Sequence, residues 1–407
     1  MANGRRILIF IFLISFAIRL IAAIVYLNFD SQTPSMDRQP FLPFGEDSNN
    51  IRKVVGDRDG YNTVAQNILA YGKIGRVPGR GPSVPPPLYP IFLAICYSVF
   101  GYNIFAFFIP HIILASINSI FILRLGQQVF SNRVGIMASI FYAFNPHFII
   151  SSIQLYSETL YFFLILSLFL LCQKLLLKST PKYAISIGIF MALAALCRSA
   201  FFAFIPFIFI WLIIVFYHER RKMLISASII FCLFLLVYGT WIIGNYKAFP
   251  RILFFEISRS VWWETNWLPS DINKVTEYRN KYKDGYTAFI NWVKENPKQY
   301  FRLCTRRLKT FLFKPYADGV SFRHKVVSSL IFFTIYPLGY LGIAKAFRER
   351  KRIATLTLLF ISSTIILHVL TSIEGELRYR LPVELFITMF AAYGLSIALN
   401  FFSFQTN

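Results

Sequence analysis

Long apolar runs alternate along this chain with short polar stretches, and most runs have the length of a membrane crossing. The stretch from Ile7 to Leu27 is the first. A helix spanning an ~30 Å hydrocarbon core needs about 20 apolar residues. Further runs of this kind lie near 103–125, 134–149, 156–177, 183–200, 201–217, 223–243, 325–346, 352–371 and 382–404. Together they predict an all-α polytopic membrane bundle of about ten spans, with residues 1–407 forming a single transmembrane domain. Pro87 to Phe100 is apolar but falls short of the ~20 residues a span needs, so an interfacial or re-entrant helix is expected there. Two polar insertions interrupt the pattern, at 28–102 and 244–324. In the first, Tyr61, Val64, Ala65, Ile68 and Leu69 recur at helical spacing and predict a short helix with an apolar stripe lying on the bilayer. The second opens with WWETNW at 262–267 and continues into a basic amphipathic stretch, read as an interfacial support helix or an acceptor contact.

Charge orients the bundle. If the N-terminal Arg5 and Arg6 are cytoplasmic and Pro87–Phe100 does not cross, four compact basic loops fall on the same side: Arg124–Arg133, Lys174–Lys182, 218–222 and Lys345–Arg352. Cytoplasmic loops collect Lys and Arg, so this arrangement is selected over one in which all four face outward. Both termini are then cytoplasmic, and Ile7–Leu27 reads as a retained signal-anchor helix rather than a cleaved leader. A formal net charge of +23 has the same explanation, through positive-inside loops and anionic lipid, and no nucleic-acid motif accompanies it. The five cysteines are scattered without CxxC spacing, and the five histidines without ligand spacing. Neither a disulfide framework nor a metal site is expected. There is also no phosphate-cradling glycine loop of the nucleotide-binding kind.

This orientation gathers the candidate chemistry on the extracytoplasmic face. In GDRDGY, Asp57 and Asp59 precede the predicted amphipathic helix. Asp59 suits a helix cap, and Asp57 is freer to act as a carboxylate base. Glu158 opens a span near the same surface, where an acid is costly and therefore a catalytic candidate, with Glu158 or Asp59 assisting Asp57. Arg378 and Arg380, in RYRLPVE, supply guanidinium groups suited to phosphate oxygens. Arg19 and Arg198 join them or merely snorkel to the interface. Tyr61, Arg80 and Tyr379 are candidate substrate contacts, while Lys73 and Arg76 are weaker cations in the first loop.

In this order the motifs resemble the GT-C integral-membrane glycosyltransferases. The branch they fit is that of protein O-mannosyltransferases and lipid A aminoarabinose transferases, glycosyltransferase family 39-like. The carriers are Asp57-x-x-x-Tyr61 with Ala65, PPLYPIFLA running to Gly101, and Asn145-Pro146 followed by YSET. LCRS at 196–199, a tryptophan–asparagine motif and the final RYRLPVE complete the series. The resemblance implies that the first-loop aspartate is catalytic, that Pro87–Phe100 is a juxtamembrane helix, and that the site faces outward. One departure stands out. Where relatives often carry an arginine after the seventh span, this chain has Gly244, so a phosphate contact there would have to come from Lys247 or Arg251.

The resulting expectation is an inverting transferase of a bacterial plasma membrane. It would move one sugar from a polyprenyl-phosphate donor to a glycan, glycolipid or protein acceptor. No cofactor is firmly implied and no metal site is assigned, although neighbouring carboxylates could hold a divalent cation. A lipid-sugar transporter or flippase and a glycan polymerase or ligase are the alternatives.

Overall fold

The computed structural model describes residues 2–30, 60–75, 86–246, 281, 285–316, 321–349, 352–371 and 377–405, and these residues are helical or in short connections. The helices are α1 (Ala2–Asp30), α2 (Tyr61–Tyr71), α3 (Leu88–Phe100), α4 (Ile104–Val129) and α5 (Asn132–Phe144). They continue as α6 (Pro146–Ile153), α7 (Glu158–Lys178), α8 (Pro181–Cys197), α9 (Ile205–Val215) and α10 (Arg220–Tyr246). The last are α11 (Gly285–Glu295), α12 (Pro297–Phe313), α13 (Phe322–Arg348), α14 (Arg352–Thr371) and α15 (Leu381–Gln405).

Seven of these are long and apolar enough to cross a membrane, or eight if α5 and α6, bent by 57° at Asn145, form one span. The expected count of about ten also needed the runs at 183–200 and 201–217. Those appear as two shorter helical pieces, Pro181–Cys197 and Ser199–Val215. At ~1.5 Å per residue the 17-residue α8 is about 25 Å long, a little under the ~30 Å core. The break between the two pieces falls at Arg198, whose backbone is extended at φ −146 and ψ 122.

The buried heart of the bundle is α15, which is buried from Leu381 to Ala392 and packs on α13, α5 and α14. Its contact with α13 is close because glycines line it. A Cβ on Gly342 would run into the Phe390 carbonyl oxygen, and one on Gly394 into that of Leu338. In lipid, where apolar side chains gain little by leaving the solvent, such small-residue seams let helices approach closely. A second bundle face is formed by α8 against α7 and α10. At the outside, Leu13, Leu236, Ile243, Leu330 and Phe333 are strongly exposed, as lipid-facing side chains should be.

The predicted short helices both form, in a different setting from the one expected for α2. Tyr61 through Asn67 are all buried, polar residues included. Asn62 donates to Tyr102 Oη and accepts from Tyr97 Oη, each at 2.9 Å, and Asn67 Nδ2 donates to the Gly75 carbonyl at 2.9 Å. So α2 is docked onto α3 inside the protein rather than floating on the bilayer, because its polar side finds protein partners. At 13 residues, or about 20 Å, α3 is too short to span. It is fastened to α4 by Tyr89, whose hydroxyl lies 2.9 Å from His111 Nε2. His111 Nδ1 lies 2.9 Å from the Phe107 carbonyl and must donate to it, so Nε2 accepts from the tyrosine.

Candidate active site

One end of the bundle collects polar side chains from elements far apart in sequence. The start of α7 contributes Tyr156 and Glu158, the break after α8 gives Arg198, and the end of α14 gives His368. The turn before α15 adds Arg378 and Tyr379. Glu158 is 1% exposed and forms a direct ion pair with Arg198. Helix α7 begins at Glu158, so its carboxylate also meets the positive end of that helix.

The arginines stand on aromatic faces. Arg198 Cζ lies 5.8 Å from the Tyr161 ring centroid, and Arg378 Cζ lies 5.4 Å from Tyr156 and 5.3 Å from Tyr379. Within ~6 Å such contacts are attractive and hold the planar cation in one orientation. Arg198 is close enough to feel the charges of Glu158 and Arg378 and the hydroxyl of Tyr61. His368 completes the group: its ring is 5.3 Å from that of Tyr379, and its Nδ1 donates to the Thr364 carbonyl at 2.6 Å. Tyr61 stacks edge-on against Tyr89 at 4.8 Å and follows Gly60, whose φ of 72 suits a residue without a Cβ.

Helix α12 braces this end from the side. Tyr300 Oη donates to the Leu370 carbonyl at 3.1 Å, and Arg307 donates to that of Val369 at 3.3 Å. Both acceptors sit in the last turn of α14, beside His368. Burial raises the Tyr300 hydroxyl well above the usual tyrosine range, with Cys304 adding to the effect. It therefore serves as a neutral hydrogen-bond donor.

Of the sequence candidates, Glu158, Arg198, Arg378, Tyr379 and Tyr61 are thus brought together. Two arginines are not. Arg19 is wholly buried, bonds Ser15, and points its guanidinium at the carbonyls of Tyr142 (3.4 Å) and Ala143 (3.4 Å), at the C-terminal end of α5. Arg380, 3% exposed, donates to the carbonyls of Lys314 (2.6 Å) and Pro315 (3.2 Å) just past α12. Each donates to carbonyls at or just past a helix end, which is a structural use of the charge. Asp57, Asp59, Arg80, Arg76, Lys247 and Arg251 lie outside the described residues. Gly244 is exposed, and a Cβ there would meet nothing within 4 Å. Among the described residues no group of three His, Cys, Asp or Glu side chains could hold a metal ion. His368 and Tyr156 were missed from sequence because a lone histidine on an apolar helix and a tyrosine at a span end carry no local signal.

Comparison with known proteins bears on the fold. Residues 84–242 match the family model for dolichyl-phosphate-mannose-protein mannosyltransferase. Archaeal oligosaccharyltransferase AglB from Archaeoglobus fulgidus, solved with an inhibitory peptide and a dolichol-phosphate, is similar in structure with a TM-score of 0.53 at 15% identity. The Archaeoglobus fulgidus oligosaccharyltransferase in complex with Zn and sulfate gives a TM-score of 0.55 at 14% identity. In both cases 95% of this chain and 50% of the other is covered, so the chain spans about half the length of the solved structures it matches.

The chain has a GT-C fold.

No curated protein is significantly similar in sequence. The GT-C likeness therefore rests on the matched family segment and on the shared architecture. That segment contains α3 through most of α10, including Glu158 and Arg198, and leaves Arg378 outside it. The third charged member of the cluster thus comes from outside the matched segment, from the turn that leads into α15.

Proposed function

We propose that the chain is an inverting glycosyltransferase that moves one sugar from a polyprenyl-phosphate donor to an acceptor on the extracytoplasmic face. The observation that carries this reading is the convergence of Glu158, Arg198 and Arg378 at one end of the bundle, framed by Tyr156, Tyr161 and Tyr379. Guanidinium groups gathered at this end suit the oxygens of a phosphate leaving group held beside the membrane. The dolichol-phosphate in the AglB structure supports a lipid phosphate as the donor's leaving group.

In this scheme Arg378 faces the donor phosphate, with Arg198 beside it, and the lipid tail lies along the outer helices. Glu158 orients Arg198. Deprotonation of the acceptor is assigned to Asp57, assisted by Asp59. These two residues immediately precede Gly60 and Tyr61 in the chain. Tyr61, Tyr379 and Arg80 contact substrate. Once its charge is neutralised phosphate leaves readily, so position and electrostatics do most of the work. The acceptor is a glycan, glycolipid or protein, and a divalent cation bound by the first-loop carboxylates would add to the neutralisation.

The test is transfer by the purified protein in nanodiscs carrying polyprenyl-phosphate-linked sugars. Asp57→Asn is expected to abolish turnover with folding intact, and Arg378→Ala to weaken donor binding. Near-normal turnover in Asp57→Asn would remove that residue as the base. In sealed vesicles, movement of labelled donor between leaflets without product would replace the enzyme reading with transport.

A further inference from the structure

Glu384 belongs to the same RYRLPVE run as Arg378 but is engaged elsewhere. It sits in the first turn of α15, 1% exposed. Its Oε1 accepts from Asn145 Nδ2 at 2.8 Å, and His147 Nδ1 lies 2.9 Å from Oε1 and 3.1 Å from Oε2. Asn145 also caps α6, its Oδ1 accepting from the His147 backbone N–H at 2.9 Å. On its other side His147 Nε2 lies 3.0 Å from Ser328 Oγ, in α13. One carboxylate thus stitches the α5–α6 break, α13 and α15 together.

Burying a carboxylate within a span is costly, and well-packed apolar residues would hold helices together at least as well. Stability alone does not call for this pair. What distinguishes it is its place. The backbone N–H groups of Val383 and Glu384 both donate to the Arg380 carbonyl at 2.9 Å. The Arg380 guanidinium is in turn fixed on the end of α12. Arg378, two residues earlier, projects from a turn anchored on its C-terminal side.

We propose that Glu384, with Asn145 and His147, is a positioning network: it fixes the start of α15 and so holds the Arg378 guanidinium where lipid phosphate binds. This rests on the donor reading given above. The pair acts through backbone placement, and neither partner touches the ligand.

The experiment uses the full chain in nanodiscs, with undecaprenyl phosphate lacking a sugar as the probe. Glu384→Gln keeps the shape and loses the charge. Asn145→Ser keeps a cap for α6 but is too short to reach Glu384. About tenfold weaker phosphate binding is expected for Glu384→Gln, within the range seen for residues of one network, and a smaller loss for Asn145→Ser. Neither change should weaken binding further in an Arg378→Ala background, whereas the accompanying fall in melting temperature should be equal in both backgrounds. Losses that add to that of Arg378→Ala, or no loss at all, would overturn the positioning role and leave the donor reading intact. Unaltered phosphate binding by Arg378→Ala alone would overturn both. If Glu384→Gln does not fold, the Asn145→Ser cycle decides between the same outcomes.

Discussion

Glu158 and Arg198 make the most direct demand on the structure. Glu158→Gln removes one charge from a pair whose side chains are 1% and 12% exposed. Breaking a buried pair on one side typically costs ~3–5 kcal/mol, because the surviving charge is left without its partner. Partial access to Arg198 favours the lower end, about 3 kcal/mol, and the Tyr161 face offsets up to ~1 kcal/mol of that. Long chains shift by roughly 1–2 °C per kcal/mol, so a melting temperature lower by about 2–6 °C is expected. The double variant Glu158→Gln/Arg198→Met should be less impaired than the two single changes summed, by ~1–3 kcal/mol. Tryptophan fluorescence during heating in nanodiscs, at one fixed scan rate, would measure both quantities. A melting temperature for Glu158→Gln within error of the parent, or strict additivity in the double variant, would refute the buried pair and with it the orientation assigned to Arg198.

Three further outcomes are expected. Gly342→Leu should lower the yield of folded protein on size-exclusion chromatography, since even a Cβ meets the Phe390 carbonyl, whereas Gly244→Ala should not. Arg380→Met should destabilise by about 1.5–3 kcal/mol, the worth of charged hydrogen bonds to carbonyls, while weakening phosphate binding less than Arg378→Ala does. An equal loss of binding would make Arg380 a ligand contact after all. For sidedness, a cysteine replacing Lys73 should react with an impermeant maleimide added outside intact cells and one replacing Arg348 should not. Native Cys96 should stay silent in that assay, being buried with its thiol pushed up to about 11 by burial. The opposite labelling pattern would invert the topology and remove the outward-facing site.

Hydropathy by itself determined the helical class, the positions of most spans and the shortness of α3, because transfer into lipid is a property of each segment alone. It did not show that the runs at 183–200 and 201–217 form shorter pieces broken at Arg198. The same local logic marked Glu158, Arg198 and Arg378, as charges beside lipid stand out wherever the chain goes. It went astray where a partner decides the outcome. The apolar stripe of α2 was legible, but only the docked α3, Tyr97 and Tyr102 explain why its polar face is buried too. Arg19, Arg198, Arg378 and Arg380 are chemically alike, and a guanidinium is satisfied equally by a carboxylate, a helix-end carbonyl or a phosphate. Which acceptor each one meets depends on elements separated by up to hundreds of residues, as when Asn145 and His147 reach Glu384. Tertiary structure alone assigned Arg19 and Arg380 to carbonyls, paired Arg198 with Glu158, and brought Arg378 and His368 to the same end of the bundle.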